Sequence, residues 1–433
     1  MSSKTIVLTG ITTTGTPHLG NYVGAIRPAI EESRNPDVSS FYFMADFHAL
    51  IKCDDPARVF RSRQEIAATW LAMGLDADRA TFYRQSDIPE ITELSWVLTC
   101  LTAKGLMNRA HAYKASVDAN VAAGNEDLDD GITMGLFSYP ILMAADILMF
   151  NAHKVPVGRD QVQHIEMARD IAGRFNHMYA PVFTLPEAVV GEEGSVMSGL
   201  DGRKMSKSYN NTIPLFVEPD ELLKLVRRIK TDSRMPGEAK DTEGSTLFEI
   251  YSAFATKDER QAMASRFASG EAWGELKDAL FELLNDRLSA PREEYKRIMA
   301  DQSYLESVLK KGADKARAQA APLMDQVRKA VGLGGFTEGF TKVAAQQDES
   351  TKELSDEDIA KREAGKAKAL EIARQREEEA KAAAETELKA ALAAQGNDLA
   401  ALKALLDEQF AQASKKEKRG LKLKLSILDE WNS

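Results

Sequence analysis

The sequence predicts an α/β fold, a parallel sheet wrapped by helices, followed by an all-α region and a helical C-terminal extension. Short β-rich apolar runs alternate with helical patterns through the first half, as crossover connections between parallel strands require. From Pro219 to about Gly334 strand signals fade and helical periodicity takes over. Beyond Gly334 the composition shifts toward Ala, Lys, Glu and Arg. At 433 residues the chain exceeds what one hydrophobic core usually serves, so two or three domains are expected.

Taken in order, strands are expected at Thr5–Thr9, Phe41–Ala45, Thr81–Arg84 and Lys154–Val157, and helices at Leu19–Glu32, Ala57–Met73, Glu93–Leu106 and Gln161–Phe175. Gly74 reads as a helix C-cap. Leu222, Leu223, Leu225, Val226 and Ile229 form one apolar stripe in the helical region. A polar stretch at Gln346–Thr351 leads into the Ala-rich segment Asp356–Ala394, with Ser355 and Asp358 spaced as an N-terminal cap. Gly396-Asn397 breaks it. A short amphipathic helix with Leu399, Leu402, Leu405 and Leu406 follows, and Leu421–Ile427 alternates like a strand. Ligand chemistry in open sheets gathers at the carboxyl ends of the strands, so the loops after Thr9, Ala45 and Val157 are expected to share a crevice.

Composition narrows the function. With 44% hydrophobic and 28% charged residues, disorder of the whole chain is excluded. Cys53 and Cys100 are too few for a disulfide framework or a four-thiolate zinc site, and match a reducing compartment; no metal site is expected. No stretch approaches the roughly 18 unbroken apolar residues of a membrane span, and no signal peptide precedes the first strand, so a soluble cytoplasmic protein is expected. A formal charge of −10 argues against a generic nucleic-acid coat but leaves room for one specific RNA on a local basic surface.

Two segments carry chemistry. After the first strand the chain reads Thr12-Thr13-Thr14-Gly15-Thr16-Pro17-His18-Leu19-Gly20-Asn21-Tyr22. Backbone amides and the macrodipole at a helix start favour negative charge, Gly20 leaves room for a flat base, and His18 and Asn21 can donate to a polyphosphate. An ordinary Thr-capped helix is the alternative. Later, Gly202-Arg203-Lys204-Met205-Ser206-Lys207-Ser208-Tyr209-Asn210-Asn211 forms a Gly-led loop with two lysines three apart, suited to charge developing on a departing pyrophosphate. A solvated basic loop is its alternative. Asp146 lies within the apolar run Ile141–Phe150, where a carboxylate needs a partner: a donor-only group such as an indole N–H suits, and so does a salt bridge to Lys154, Arg159 or another base.

Together the segments resemble the HIGH and KMSKS signatures of class I aminoacyl-tRNA synthetases, the second letter for letter and the first as HLGN. His18–Ile26, Ala45–Leu50, Tyr139–Leu148, Val155–Gln161 and Asp170–Asn176 look like the tryptophanyl branch, over roughly Lys4 to Leu333. The resemblance implies a Rossmann-like catalytic domain at 1–215 with a dimer-interface insertion at about 90–150 and a helical anticodon-binding domain at 216–334; the linker and helical extension at 335–433, of unassigned role, lie outside it. It implies a homodimer that activates L-tryptophan with ATP and Mg2+, without a prosthetic group, and passes the amino acid to tRNA(Trp). His18, Asn21, Lys204 and Lys207 are the implied catalytic residues. ATP contacts are implied for Thr12, Thr13, Thr14, Gly20, Asn21, Lys114, Gly158, Arg159, Asp160, Val196, Lys204, Met205, Ser206, Lys207 and Ser208, and tryptophan contacts for Asp146, Met143, His48 and Gln161.

Three features depart from the family pattern. Thr12-Thr13 replaces a frequent Gln-Pro, so an amide contact is either missing or replaced by hydroxyls. Arg159 replaces a usual glutamate, which either tightens phosphate binding or points to solvent. The tail's cluster Lys415, Lys416, Lys418, Arg419, Lys422 and Lys424 either touches RNA or is a solvated charge run, the commoner case. A tyrosyl enzyme is the nearest rival reading, and a non-catalytic RNA- or tryptophan-binding regulator the rival of a different class.

Overall fold

The computed structural model describes residues 4–13, 15–190, 197–336, 374–375, 378, 381–396, 398–412 and 417–432. Strands β1 (Thr5–Thr12), β2 (Val38–Ala45), β3 (Thr81–Arg84), β4 (Lys154–Val157) and β5 (Glu187–Val190) form one parallel sheet in the order β3-β2-β1-β4-β5. The chain runs outward from β1 to β3 and then returns to β4 on the other side of β1. Between β1 and β4 the winding direction therefore reverses, and the connections diverge to leave a crevice at the carboxyl edge. The register β1 to β2 sets Thr12 beside Ala45 at that edge. Phe41 to Ala45 are buried without alternation, as expected of a strand covered on both faces.

All four expected strands are present, and β1 runs three residues further than its apolar pattern. β5 was not expected: four residues at the sheet edge, mostly exposed, leave little burial signal in the sequence.

The segment after β1 enters through a helical turn at Leu19–Asn21, a π-helical turn at Tyr22–Ile26, and an α-helix at Arg27–Ser33. Helix α1 (Pro56–Ala72) starts where the Asp55 carboxylate accepts from the Ala57 and Arg58 amides, at 3.0 and 3.1 Å. It ends on Gly74 at φ +95°, the left-handed position that glycine adopts most readily. Its face of Ile66, Ala67 and Trp70 packs with Tyr42 and Phe82 of the sheet. Helix α2 (Pro89–Leu101) stops short of the expected Leu106, because Thr102 turns to extended backbone while its hydroxyl donates to the Leu98 carbonyl. Helices α3 (His111–Ala122), α4 (Met134–Leu148) and α5 (Val162–Met178) follow, with α4 and α5 packed together over the sheet.

Helices α6 (Pro219–Arg227), α7 (Thr246–Phe254), α8 (Lys257–Ala268), α9 (Trp273–Ala300) and α10 (Gln302–Ala330) fill the helical region. The stripe on α6 is buried as Leu222, Leu225 and Val226, with Ile229 just beyond, against Leu276, Leu280 and Leu284 of α9. The chain then returns to the sheet. α10 lies on β3 through a face of small residues, where a β-carbon on Gly312 would fall 1.7 Å from the Phe82 carbonyl oxygen. Arg84 fastens the contact by a two-pronged pair with Glu306, both bonds 2.7 Å. Met1–Ala345 accordingly packs as one compact unit, and Gln346–Ser433 as a second.

In the second unit a helical run over 381–394 ends near Gly396 at φ +67°, and α11 (Leu399–Gln412) and α12 (Glu417–Asn432) follow. Ala384, Leu388, Leu402, Leu406, Ile427 and Leu428 form its core. The strand expected at Leu421–Ile427 is a helix instead. Leu421, Leu425 and Leu428 also recur at the helical spacing i, i+4, i+7, and adjacent Ile427 and Leu428 are both buried, which a two-faced strand would not allow. The expected cap at Ser355 and Asp358, and the stretch Gln346–Thr351, lie outside the described residues. Among the described residues no helix is long and apolar enough to cross a membrane.

Candidate active site

A cavity of about 480 Å³ opens at the carboxyl edge of the sheet, across the β1–β4 switch point. Thr9, Gly10 and Thr12 of β1, Phe43 and Ala45 of β2, and Val157 and Gly158 at the end of β4 line it. Gly10 is required there, since a β-carbon would meet the Phe43 ring at 2.7 Å.

At its inner end stands Asp146 of α4, which is 1% exposed. His48, on the short turn Asp46–Ala49 after β2, meets one carboxylate oxygen at 2.9 Å, and Gln85 Nε2 donates to the other at 2.8 Å. A carboxylate only accepts, so His48 Nε2 carries the proton. Gln85 is itself fully buried, and its Oε1 accepts from the Phe47 amide at 3.1 Å, which fixes the amide's orientation. Burial raises the Asp146 pKa above its ordinary value, while His48 and Gln85 oppose the shift. Two oxygens offer about four acceptor directions. Two are used by these side chains, so the carboxylate keeps capacity for a donor placed in the cavity. Met143, Tyr139 and Gln161 complete this end.

Past Thr12, outside the cavity lining, lies a second cluster, the outer end, where the two motifs meet. The Leu19 amide donates to the Ile213 carbonyl at 2.9 Å, the Leu215 amide to the Pro17 carbonyl at 3.0 Å, and His18 bridges to Pro214. The turn after β1 is thus stitched to the segment that follows the lysine loop. His18 and Asn21 cap the helical turn reciprocally: the Asn21 amide donates to His18 Nδ1 at 3.3 Å and the His18 amide to Asn21 Oδ1 at 3.1 Å. Lys207 packs its ammonium 2.9 Å from where a Gly15 β-carbon would lie, so glycine, at φ +138°, opens the space. Burial and the neighbouring Lys207 charge push the His18 pKa down to about 4. The Lys207 residue is exposed as a whole, but its charged end is packed; burial there, then repulsion from Arg58, lowers its pKa, and Glu65 opposes this.

Asn211, 2% exposed, holds the lysine loop. Its Nδ2 donates to Asp201 at 2.7 Å and to the Lys204 carbonyl at 3.1 Å, and its Oδ1 accepts from the Ser206 amide at 2.8 Å. Asn210 takes the left-handed conformation, φ 49°, that turns the chain there. Arg203 pairs with Asp201 at 2.6 Å and lies over the Tyr209 ring. Like charges packed at Lys207 and Arg58, beside a capped helix turn, make an environment that favours a polyanion.

The family model described as tRNA synthetases class I (W and Y) matches residues 1–289. A tryptophan–tRNA ligase of Pseudomonas aeruginosa is 63% identical over 337 residues, 77% of this chain and 75% of that one. A tryptophan–tRNA ligase of Neisseria meningitidis is 59% identical over 331 residues, covering 76% of this chain and 98% of its own. The tryptophanyl-tRNA synthetase of Campylobacter jejuni, crystallised with ADP and tryptophan, superposes with a TM-score of 0.70 at 40% identity, covering 76% of this chain and all of that one. The chain belongs to the class I synthetases of the tryptophan and tyrosine group.

In this synthetase, six residues expected from the motifs share the cavity wall: Thr12, His48, Met143, Asp146, Gly158 and Gln161. His18, Gly20 and Lys207 gather at the second cluster, where Met197 and the His18 ring crowd Gly20. Met205 is buried, its amide donating to the Met197 carbonyl, and Ser206 and Ser208 bond each other at 2.8 Å. Lys204 is exposed on the loop, bridged to Ser198. Thr13 is fully buried beside the turn and is not part of the cavity wall. Arg159 and Asp160 are exposed on the turn after β4, and Asp160 accepts from Gln161 at 2.8 Å. Lys114 is exposed on α3, two positions past Ala112, which lines the cavity. Thr14 and Val196 lie outside the described residues. Among the described residues no group of three or more His, Cys, Asp or Glu side chains is placed to hold a metal ion.

Gln85, Tyr139 and Lys52 were not singled out in the sequence. Gln85 had a usable signal: it immediately follows the carboxyl end of β3, the edge where ligand contacts gather. Tyr139 sat within a quoted motif but reads there as core; its hydroxyl bonds His164 at 2.8 Å.

Proposed function

We propose that this chain is a tryptophan–tRNA ligase. The tryptophan carboxylate attacks the α-phosphate of ATP, the bond to the β-phosphate breaks with release of pyrophosphate, and the terminal ribose of tRNA(Trp) then takes the tryptophanyl group from the adenylate. The observation that carries the reading is Asp146: a buried carboxylate, fixed by His48 and Gln85, with acceptor capacity open to a cavity at the switch point. An indole N–H, donor only, satisfies it, and an amino acid without a donor at that place leaves buried groups unpaired. Met143 and Gln161 pack the ring and the amino-acid backbone.

Thr12, Gly20, Gly158 and the β4 turn cradle the nucleotide, and His18, Asn21, Lys204 and Lys207 neutralise the phosphates as charge moves to the leaving pyrophosphate. The magnesium ion travels with the triphosphate as part of the substrate; this ion loses its waters reluctantly and is commonly held by phosphate oxygens. The helical region 216–334 reads the anticodon by stacking and hydrogen-bonding exposed bases. Two copies pair through α2 and α4, where Trp96 and Met134 are exposed beside a second cavity of about 450 Å³. The protein works in the cytoplasm.

The experiment is exchange of labelled pyrophosphate into ATP across the twenty amino acids. Exchange is expected with tryptophan and negligible with tyrosine. Equal exchange with both would remove the specificity assignment.

A further inference from the structure

Among the described residues Lys52 is the one lysine or arginine on the wall of the 480 Å³ cavity. It follows His48 by four residues, just past the short turn Asp46–Ala49, and lines the same cavity as Asp146, which His48 holds. Among the described residues none makes a hydrogen bond or ion pair with its ammonium. The carboxylate on the same wall, Asp146, is already engaged by His48 and Gln85. Apart from Asp146, the described residues that line the cavity include no Asp or Glu. Lys52 is exposed, and an unpaired cation on the wall of a partly apolar cavity whose one carboxylate is already engaged is complementary to a ligand that brings an anion.

We infer that Lys52 binds the α-carboxylate of the amino-acid substrate, holding it ready to attack the nucleotide. This rests on the reading of the cavity as the tryptophan site and adds a second fixed point to it. With the ring donor on Asp146, the carboxylate lies one side-chain length away, within the sweep of a lysine rooted one helical turn beyond His48. The triphosphate has its own cations outside the cavity lining, Lys204 and Lys207 of the loop stitched to the turn at Gly15 to His18. Two anchors at opposite ends of the amino acid fix its orientation as well as its identity.

The test compares tryptophan with tryptamine, the same molecule without the carboxylate. Calorimetric titration without ATP is run on the full chain and on Lys52→Met and Lys52→Arg, with melting temperatures as a check on folding. Lys52→Met is expected to weaken tryptophan about tenfold or more, the size of a lost charge-assisted hydrogen bond, and to leave tryptamine within about twofold. Lys52→Arg restores most of the tryptophan affinity. Equal weakening of both ligands makes Lys52 a wall residue and overturns the inference; unchanged binding of both makes it a solvated lysine and does the same. Failure of the unaltered chain to bind tryptophan at all would strike the reading of the cavity itself, an outcome separable from the others.

Discussion

Asp146 on the cavity wall, the inner end, and Lys207 in the outer cluster are prepared in opposite ways. Asp146 is buried, each of its oxygens accepts one bond, from His48 or Gln85, with acceptor capacity left toward the cavity, and Gln85 is pinned in turn by the Phe47 amide. Lys207 sits on an exposed loop held chiefly through Asn211, its charge pressed toward Gly15 with Arg58 as a repelling neighbour. One end is a finished hydrogen-bond network in a packed core. The other is a cation held against like charge, which gains most when an anion arrives. A network that cannot move discriminates between ligands; a charge that can follow a departing group favours the transition state over the ground state.

Lys207→Ala tests the outer end and carries the largest expected effect. The rate of pyrophosphate exchange at saturating substrates should fall about 10²- to 10³-fold, the range for removing a positioned charge-stabilising donor, with tryptophan binding by titration nearly unchanged. A loss confined to tryptophan affinity would merge the two ends into one function.

Asp146→Ala is the mirror experiment. The tryptophan requirement should rise about 10²-fold or more while the ATP requirement changes little. The variant should also melt at lower temperature, because His48 and Gln85 lose their acceptor; a buried donor left unpaired costs about 1–3 kcal/mol. An unchanged tryptophan dependence would leave Asp146 a purely structural carboxylate.

Asn211→Ala sharpens the contrast from within the loop. It removes the bonds to Asp201, the Lys204 carbonyl and the Ser206 amide while leaving both lysines in place. The exchange rate should fall about tenfold through lost positioning, and tryptophan binding should stay constant. A rate equal to the unaltered chain would mean that the loop is set by its stitching to Pro17 and Leu19 alone.

How far the sequence foretold these two ends follows from the range of the interactions. The lysine loop and the turn after β1 are local motifs, legible as residue strings, and the strands that place them have strong apolar runs. Asp146 was legible as a buried charge because its neighbours are apolar on both sides. Its bonding partners were not legible from the residues alone, although the resemblance put His48 in the same pocket: His48 and Gln85 lie 98 and 61 residues away and are brought to it by the β2 and β3 carboxyl ends. Lys52 is silent in sequence because a lone lysine after a helical turn is ordinary until a cavity is drawn around it. In the tail, alternation at Leu421–Ile427 pointed to a strand, and burial against Leu388 and Leu402 decided for a helix. Its basic cluster is only partly described: Lys422 is exposed and Lys424 pairs with Glu387 at 2.5 Å, while Lys415 and Lys416 lie outside the described residues.

The smallest expected effect concerns His18, which belongs to the outer end but is buried like the inner one. Its folded pKa, about 4, lies below the usual histidine value of 6.5, because burial and Lys207 disfavour the imidazolium. Between those values the unfolded chain binds the proton and the folded chain does not, so stability present above pH 6.5 is lost as the pH falls toward 4. His164, also buried and lowered, shares the window, so the slope belongs to both until one is removed. His18→Asn separates them, since asparagine is a good N-cap for the same turn but does not titrate. Melting temperature followed from pH 7 to pH 4 should decline less steeply in His18→Asn than in the unaltered chain. Identical slopes would mean that His18 stays protonatable in the folded protein, and that the outer end tolerates three positive charges side by side before any phosphate enters.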